Sequence, residues 1–233
     1  MYKIENFNNN ENIEFLDENE IYKVIKINYK KYLICDIQKH KICVNKNIIK
    51  CIIGSNIKEI KEKKYNKIKE IVNMFLLGNT TKNIIYEGEG KIVLELKNNI
   101  IFESLKDWNN SICINNKNFL ASYSDVNQKN IRQSNIFSTI LSEEGSFYTK
   151  LEGESTVCIE STNPKEELIE LDLKDDTFKI DGNLVVAWSG ELKTSVEKVY
   201  FETEALICNA LNVFEGTGKI LISPQVNFGK NIN

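Results

Sequence analysis

Histidine is nearly absent from this chain of 233 residues, and its scarcity excludes several kinds of catalytic site. His40 is the only histidine, so a metal centre built from two or three imidazoles is impossible. A Ser or Cys triad would depend on His40 as its base, yet this residue lies between Lys39 and Lys41, where a solvated loop histidine is the interpretation we prefer. We therefore expect no enzyme activity and predict no catalytic residues.

Closely spaced cysteines are also lacking, and so is a long apolar run. The six cysteines have none of the tight spacings of zinc sites, so we expect no metal and no cofactor, with reduced thiols in the cytoplasm. No apolar run follows a basic N-terminus, and none is long enough for a membrane span. The sequence therefore predicts a cytoplasmic protein without stable membrane insertion. The cysteines are Cys35, Cys43, Cys51, Cys113, Cys158 and Cys208.

An excess of positive charge is missing as well. The formal net charge is −3, from 30 basic and 33 acidic residues, so no overall basic field exists to attract nucleic acid. Hydrophobic residues at 42% and charged residues at 27% are ordinary globular values, which favours a folded protein over a disordered one.

What the chain does have is a repeated motif, in which Glu-Gly follows an aromatic residue or Leu and precedes a β-rich run. The motif occurs at Tyr86-Glu87-Gly88, Leu151-Glu152-Gly153 and Phe214-Glu215-Gly216. A second element recurs with it, because INNKNFLA at 114–121 resembles IDGNLVVA at 180–187, and a fainter copy lies at 44–51. We interpret this pattern as internal duplication, with three units at 20–82, 83–145 and 146–224.

Short alternating runs between polar turns predict that these units are built of β-strands. Each later unit offers four strands, and the dipeptides Asn115-Asn116 and Asp181-Gly182 suit the positive backbone angles of tight hairpins. Regular short strands of this kind indicate a mainly β fold, either a sandwich or a rolled barrel, in a single compact unit at 20–224.

Three segments depart from the strand pattern. Residues 1–19 are rich in Asn and Glu and are expected to be a loose lead-in, and residues 225–233 a tail. Residues 56–77 carry apolar side chains at helical spacing, with Asn56 and Glu59 as a capping pair and Gly78 as a stop, so we predict one added helix there. Its basic face suits a solvated helix packed on a sheet, although a binding role is open.

Candidate ligand sites are weak. Glu87, Glu152 and Glu215 could form a ring that binds a cation, but duplication explains their recurrence more economically. The acidic run from Asp172 to Asp181 lacks the pattern of a calcium loop and indicates turn residues. Glycines at 88 and 90, and at 216 and 218, precede strands, which is the wrong context for a phosphate loop. Possible base-stacking aromatics are interpreted as core residues: Tyr86, Tyr123, Tyr148 and Trp188.

Several of these runs together resemble the altered-inheritance-of-mitochondria family, whose bacterial members are uncharacterised. The resemblance covers about Tyr86 to Ser223. It implies a fold similar to the tryptophan RNA-binding attenuator, an internally duplicated double-stranded β-helix or jelly-roll-like architecture, and it implies no catalytic residues. Mitochondrial relatives are linked with inner-membrane organisation. The runs are LEGESTV at 151–157, Leu173, IDG at 180–182, VAW at 186–188 and FEGTGKIL at 214–221.

The sequence favours a non-enzymatic bacterial β protein that acts as a scaffold or protein-interaction module, through self-association or a protein partner. The alternative is a module that binds a small ligand or RNA, which the attenuator-like fold suggests and the acidic balance opposes. An unknown enzyme that uses carboxylates such as Glu152 and Asp181 is a third hypothesis. The binding residues are unknown at this stage.

Overall fold

Antiparallel β-strands make up most of the molecule. The computed structural model describes residues 13–18, 22–38, 41–60, 83–123, 125–132, 147–199 and 209–224. Within these ranges lie eighteen strands, and the prediction of a mainly β protein is confirmed. They are β1 (Ile13–Glu18), β2 (Tyr22–Ile27), β3 (Lys30–Gln38), β4 (Ile42–Asn45), β5 (Ile49–Ile53), β6 (Lys58–Ile60), β7 (Asn83–Glu87), β8 (Glu89–Leu96), β9 (Asn99–Ser104), β10 (Ser111–Asn115), β11 (Phe119–Tyr123), β12 (Asn127–Arg132), β13 (Phe147–Glu152), β14 (Thr156–Ser161), β15 (Ile169–Asp181), β16 (Val185–Ser189), β17 (Lys193–Val199) and β18 (Asn209–Ile222).

The strands form three sheets. Sheet A has the order β1-β2-β3-β8-β5, and sheet B has the order β6-β7-β4-β11-β14-β9. Sheet C has the order β12-β13-β10-β16-β18-β15, with β17 also paired to β18. Strands distant in sequence therefore become neighbours, and β4 lies beside β11 in sheet B while β10 lies beside β16 in sheet C.

The alternation of buried and partly exposed side chains along the strands shows where the core lies. In β8, the buried side chains of Ile92, Leu94 and Leu96 alternate with partly exposed ones, which is the pattern of a strand with one face on the core. Three groups of buried apolar residues result, one led by β3, β4 and β8, one by β10, β11 and β14, and one by β16 and β18.

Three corners of the chain share one local structure. At each corner a strand ends in an Asn or Asp whose side-chain oxygen accepts the backbone N–H two residues ahead, at 3.0 Å, and one 3₁₀ turn then leads into the next strand. These cap residues are Asn45, Asn115 and Asp181, and their turns are Lys46–Ile48, Asn116–Asn118 and Gly182–Leu184.

The strand that leaves each corner also carries the same irregularity. β5 shifts register against β8 between Ile49 and Cys51, and β11 shifts against β14 between Phe119 and Ala121. The equivalent shift of β16 against β18 lies between Val185 and Ala187. A bulge bends its strand and increases the local twist, so cap and bulge together redirect the chain at each of the three corners.

The tight hairpins predicted at Asn115-Asn116 and Asp181-Gly182 are wrong. Both cap residues have negative φ, −63° and −57°, and the strands on either side of each corner do not pair with each other. The reason is the side-chain bond, because it turns an extended residue directly into a 3₁₀ turn without the left-handed conformation that a hairpin dipeptide needs. β15 itself continues through a bulge at 174–175.

The start of the predicted helix at 56–77 is wrong too. Lys58–Ile60 forms β6, which pairs with β7 so that Glu59 lies opposite Tyr86, and Ile57 packs against the core of sheets A and B. Backbone pairing with β7 and burial of Ile57 outweigh a weak capping pair. The rest of that prediction lies outside the described residues.

The expectation of a loose lead-in over 1–19 needs a correction at its end. Ile13–Glu18 is the edge strand β1, paired with β2 from Ile13 opposite Ile27 to Glu18 opposite Lys23. Backbone hydrogen bonds hold this strand in place of apolar burial, since Phe15 and Leu16 are exposed. The remainder of the lead-in and the predicted tail lie outside the described residues.

Removal of the corner caps is expected to destabilise the fold by amounts that follow their burial. Asp181→Ala removes one bond at an exposed turn and should cost about 1 kcal/mol of unfolding free energy. Asn45→Ala should cost about 2 kcal/mol, because Asn45 is buried and its amide also donates to the Phe119 carbonyl at 3.2 Å. Urea denaturation measures both. Asn45→Ser, which keeps a side-chain oxygen as acceptor but loses the amide donor, should be intermediate. Equal losses for Asn45→Ala and Asp181→Ala would contradict the role of burial.

Candidate functional site

The residues most suited to chemistry are not assembled into a site in the described part of the chain. No group of three or more His, Cys, Asp or Glu side chains is placed there to hold a metal ion. His40 lies outside the described residues. The helices that are described include none that is long and apolar enough to cross a membrane.

The three repeated glutamates do not converge. Glu87 pairs with Lys41 at 3.5 Å on sheet B, whereas Glu152 accepts from Lys129 at 2.6 Å and from Lys150 at 3.1 Å on sheet C. Hydrogen bonds from Lys129 and Lys150 lower the pKa of Glu152, as expected for a carboxylate beside two cations. Glu215 is exposed on β18. The alternative of a cation-binding ring is therefore wrong for these residues.

The acidic run of β15 has local structural roles. Asp181 caps a corner, Asp176 accepts from the Thr177 N–H at 2.7 Å, and Asp175 adopts φ 55° in the bulge. Their interpretation as turn residues is right for Asp181, whereas the other two belong to an irregular strand.

The glycines of the Glu-Gly motif all have positive φ, and the first of them is also closely packed. Gly88 has φ 131° and Gly90 has φ 157°. A Cβ at Gly88 would overlap the carbonyl oxygen of Asn56, and a Cβ at Gly90 would overlap that of Ile53, the last residue of β5. Gly153 and Gly216 have positive φ as well. The residue before each Glu is buried, namely Tyr86, Leu151 or Phe214. The motif thus places a buried side chain in the core and follows it closely with a backbone conformation that only glycine adopts without strain.

The described cysteines are mostly buried. Cys35, Cys43, Cys113 and Cys158 are buried and Cys51 is exposed. Burial raises the pKa of Cys113 to about 12 and raises the pKa of Cys35 and Cys158 too, so these thiols are protonated and unreactive at neutral pH.

The aromatic candidates for base stacking pack inside the molecule. The ring of Tyr148 meets Trp188 edge-on with centroids 4.5 Å apart, and Trp188 meets Phe214 at 5.5 Å. Tyr123 lies 6.3 Å from buried Tyr22, and Tyr86 is itself buried. Trp188 and Tyr86 are buried and Tyr123 and Tyr148 are partly buried, so all four rings contribute to packing in or against the core.

One polar group was not singled out from the sequence. The carboxylate of Glu103 is buried, accepts from the Trp108 indole N–H at 2.9 Å and pairs with Lys165 at 2.8 Å. Because both of its oxygens have partners, this group has a structural role. Glu103 occupies a position of β9 where alternation predicts a buried side chain. That alternation was the only feature of the strand from which the burial of this carboxylate could be predicted.

The feature left for function is an exposed strand edge. β5 pairs with β8 on one side and ends the order of sheet A on the other. It carries three consecutive exposed apolar residues, Cys51, Ile52 at 41% and Ile53 at 40%, which we call the β5 edge patch. Apolar side chains beside unpaired backbone groups are the usual template for another strand. The sequence predicted a strand here, but strand neighbours are set by distant residues and could not be inferred.

Substitution of the motif glycines should separate close packing from backbone strain. Gly216→Ala meets no atom nearer than Leu192 Cδ2 at 3.8 Å, so only φ 118° is unfavourable and the expected loss of stability is about 1 to 2 kcal/mol. Gly88→Ala must also displace the Asn56 carbonyl, and a loss of about 3 kcal/mol or more is expected. Chemical denaturation compares the two, and a smaller loss at Gly88 would refute the packing role.

Thiol labelling should distinguish Cys51 from the buried cysteines. In dilute Cys208→Ser protein at pH 8, Ellman's reagent is expected to modify Cys51 quickly, and Cys35, Cys43, Cys113 and Cys158 at least about a hundredfold more slowly, because they react only after opening. The further substitution Cys51→Ser should remove the fast phase. A second fast thiol would show that a buried cysteine is accessible and active.

Comparison with known proteins agrees with this architecture. A solved crystal structure of a protein from Streptococcus pyogenes is similar in fold, with a TM-score of 0.62, 19% sequence identity, and coverage of 92% of this chain and 94% of that one. No curated protein matches the chain. The family model described as mitochondrial biogenesis AIM24 matches residues 59–225, more than half of the length, and includes all three Glu-Gly motifs. The chain therefore belongs to the AIM24 family.

Proposed function

We propose that this AIM24-family protein is a non-enzymatic scaffold or protein-interaction module. The β5 edge patch is the observation that carries the proposal. On the side away from β8 this strand has no partner among the described residues, and both Ile52 and Ile53 are exposed. A partner strand that pairs with β5 would satisfy the backbone and bury these side chains together.

The chemistry of the described residues supports a non-enzymatic role. The repeated Glu152 is paired with lysines, the buried thiols have raised pKa values, and the buried Glu103 is fully partnered. Catalytic groups are typically poised by their surroundings and accessible to substrate. The recurrence of the same corner three times also supports a chain built from repeated units, whose corresponding surfaces suit assembly. A cytoplasmic location remains part of this proposal.

A double substitution of the patch tests the proposal. Ile52→Lys with Ile53→Lys places two charges on the β5 edge and is expected to weaken partner binding by a hundredfold or so, since each buried charge costs more than 1 kcal/mol. The fold should be unaffected within about 0.5 kcal/mol, because both side chains are already exposed. Native mass spectrometry of the intact assembly, purified gently from its own cells, measures the bound partner.

Tyr29→Lys is the matched control. Tyr29 is 83% exposed and lies in the turn between β2 and β3, away from the β5 edge, so this variant should keep the wild-type assembly. Loss of the assembly in both proteins would indicate a general charge effect. A monomer without a protein partner that retains a small molecule, or that binds RNA in a salt-sensitive manner, would contradict the scaffold proposal and favour the ligand-binding alternative.

A further inference from the structure

The strands that flank the three corners pair with one another in a fixed order. Two of these strands are left without such a partner among the described residues. β4, which enters the first corner, pairs with β11, which leaves the second. β10, which enters the second corner, pairs with β16, which leaves the third. Two corresponding strands remain: β5, which leaves the first corner, and residues 176–181 of β15, which enter the third. Neither pairs with the other among the described residues.

Both internal pairings have the same register when positions are counted from the cap residue. The residue before Asn45 lies opposite the sixth residue after Asn115, as Val44 opposite Ala121. The residue before Asn115 likewise lies opposite the sixth residue after Asp181, as Ile114 opposite Ala187. The next pairs follow in step, with Cys43 opposite Ser122 and Cys113 opposite Trp188.

We propose that β5 of one molecule pairs with the Asp176–Asp181 half of β15 of a second copy, in this same register. The proposal rests on the proposed function and names its partner as another copy of the chain. Counted from the caps, Cys51 lies opposite Ile180, Ile52 opposite Lys179 and Ile53 opposite Phe178. We call the pairing of a strand that enters one corner with a strand that leaves another corner a joint. The new joint between copies repeats the β4–β11 and β10–β16 joints already present within each copy.

Burial at the internal joints supports the choice of partner. Ala121 and Ala187 are fully buried, and Ser122 and Trp188 are buried, whereas the corresponding Cys51 and Ile52 are exposed. On the other edge, Val44 and Ile114 are fully buried, whereas the corresponding Ile180 is only partly buried. Both unused edges thus present apolar side chains at positions that the equivalent joints cover.

The one charged position in the joint is compatible with pairing. Lys179 corresponds to Cys43 and Cys113, but its ammonium group already pairs with Glu197 on β17 at 2.5 Å. Its aliphatic stem lies beside the position of Ile52, and long cationic side chains commonly cover apolar surface in this way. The joint is heterologous, because it uses two different edges of each molecule, so assembly is head to tail.

Cysteine pairs placed by the predicted register test the proposal. In a Cys208→Ser background, Ile180→Cys presents a thiol opposite the native Cys51, and dibromobimane, a short thiol-to-thiol cross-linker, should give dimers and higher species on a reducing denaturing gel. Lys179→Cys is the mismatched control, because neighbouring residues of a strand point to opposite faces, and at least about tenfold less dimer is expected from it.

A second pair checks that the register, and not the reactivity of one thiol, controls the product. With Cys51→Ser added, Ile52→Cys together with Lys179→Cys should cross-link, and Ile52→Cys together with Ile180→Cys should not. Cross-linking within single chains would place the joint inside one molecule and overturn the proposal. Equal cross-linking of matched and mismatched pairs would refute the register.

Labelling of the native Cys51 thiol gives an independent measurement of the pairing. In Cys208→Ser protein, the fast reaction of Cys51 with Ellman's reagent should slow at least about tenfold as protein concentration rises past the assembly midpoint, because a paired strand is closed to reagent. Light scattering on the same samples locates that midpoint. A mass that stays at one chain with an unchanged Cys51 rate would overturn self-pairing. In that case binding of a different protein is compared between the wild type and the Ile52→Lys, Ile53→Lys variant. If the variant no longer binds a protein that the wild type binds, the proposed interaction module is supported, with that protein as its partner and not a second copy.

Discussion

A single side-chain hydrogen bond, repeated at three corners, sets which strands become neighbours. At Asn45, Asn115 and Asp181 the side-chain oxygen takes the place of a backbone partner and turns an extended residue into a 3₁₀ turn. A hairpin at the same place would return the chain beside itself. The corner instead delivers it to a different position, and the strand that leaves it pairs with a strand from another part of the sequence. Long-range pairing is therefore a consequence of a contact that spans two residues.

The same arrangement creates edges. Each internal joint needs one strand that enters a corner and one that leaves the next. The three corners of the described residues therefore complete two joints, and within those residues one strand of each kind is left without such a partner. Unpaired strand edges are a liability unless they are covered, and β5 combines exposed Cys51, Ile52 and Ile53 with an edge that has no partner in the part of the chain that the structure describes. The proposed assembly thus follows from the topology and requires no particular catalytic or ligand-binding residue.

Much of the fold could be predicted from the sequence because its signals are local. Alternation predicted the strand that carries Ile92, Leu94 and Leu96, and the recurrence of INNKNFLA predicted corresponding turns, although as hairpins and not as corners. The predictions that were wrong concern segments in which local and distant contacts compete. Asn56 and Glu59 form a plausible helix cap in isolation, but pairing of β6 with β7 decides their conformation. The candidate site could not be predicted for the same reason, since the exposure of Ile52 reflects a missing neighbour.

The heterologous character of the proposed joint constrains the size of the assembly. A symmetric pairing of β5 with β5 would saturate at a dimer, whereas β5 with β15 leaves one free edge of each kind on every addition, so growth stops only if the rotation between copies closes a ring. The direction of the chain at each joint is already fixed inside the molecule by the cap and the bulge. The rotation between copies therefore follows from the same local geometry that relates the corners, and a closed ring or an open filament is decided by the corner itself.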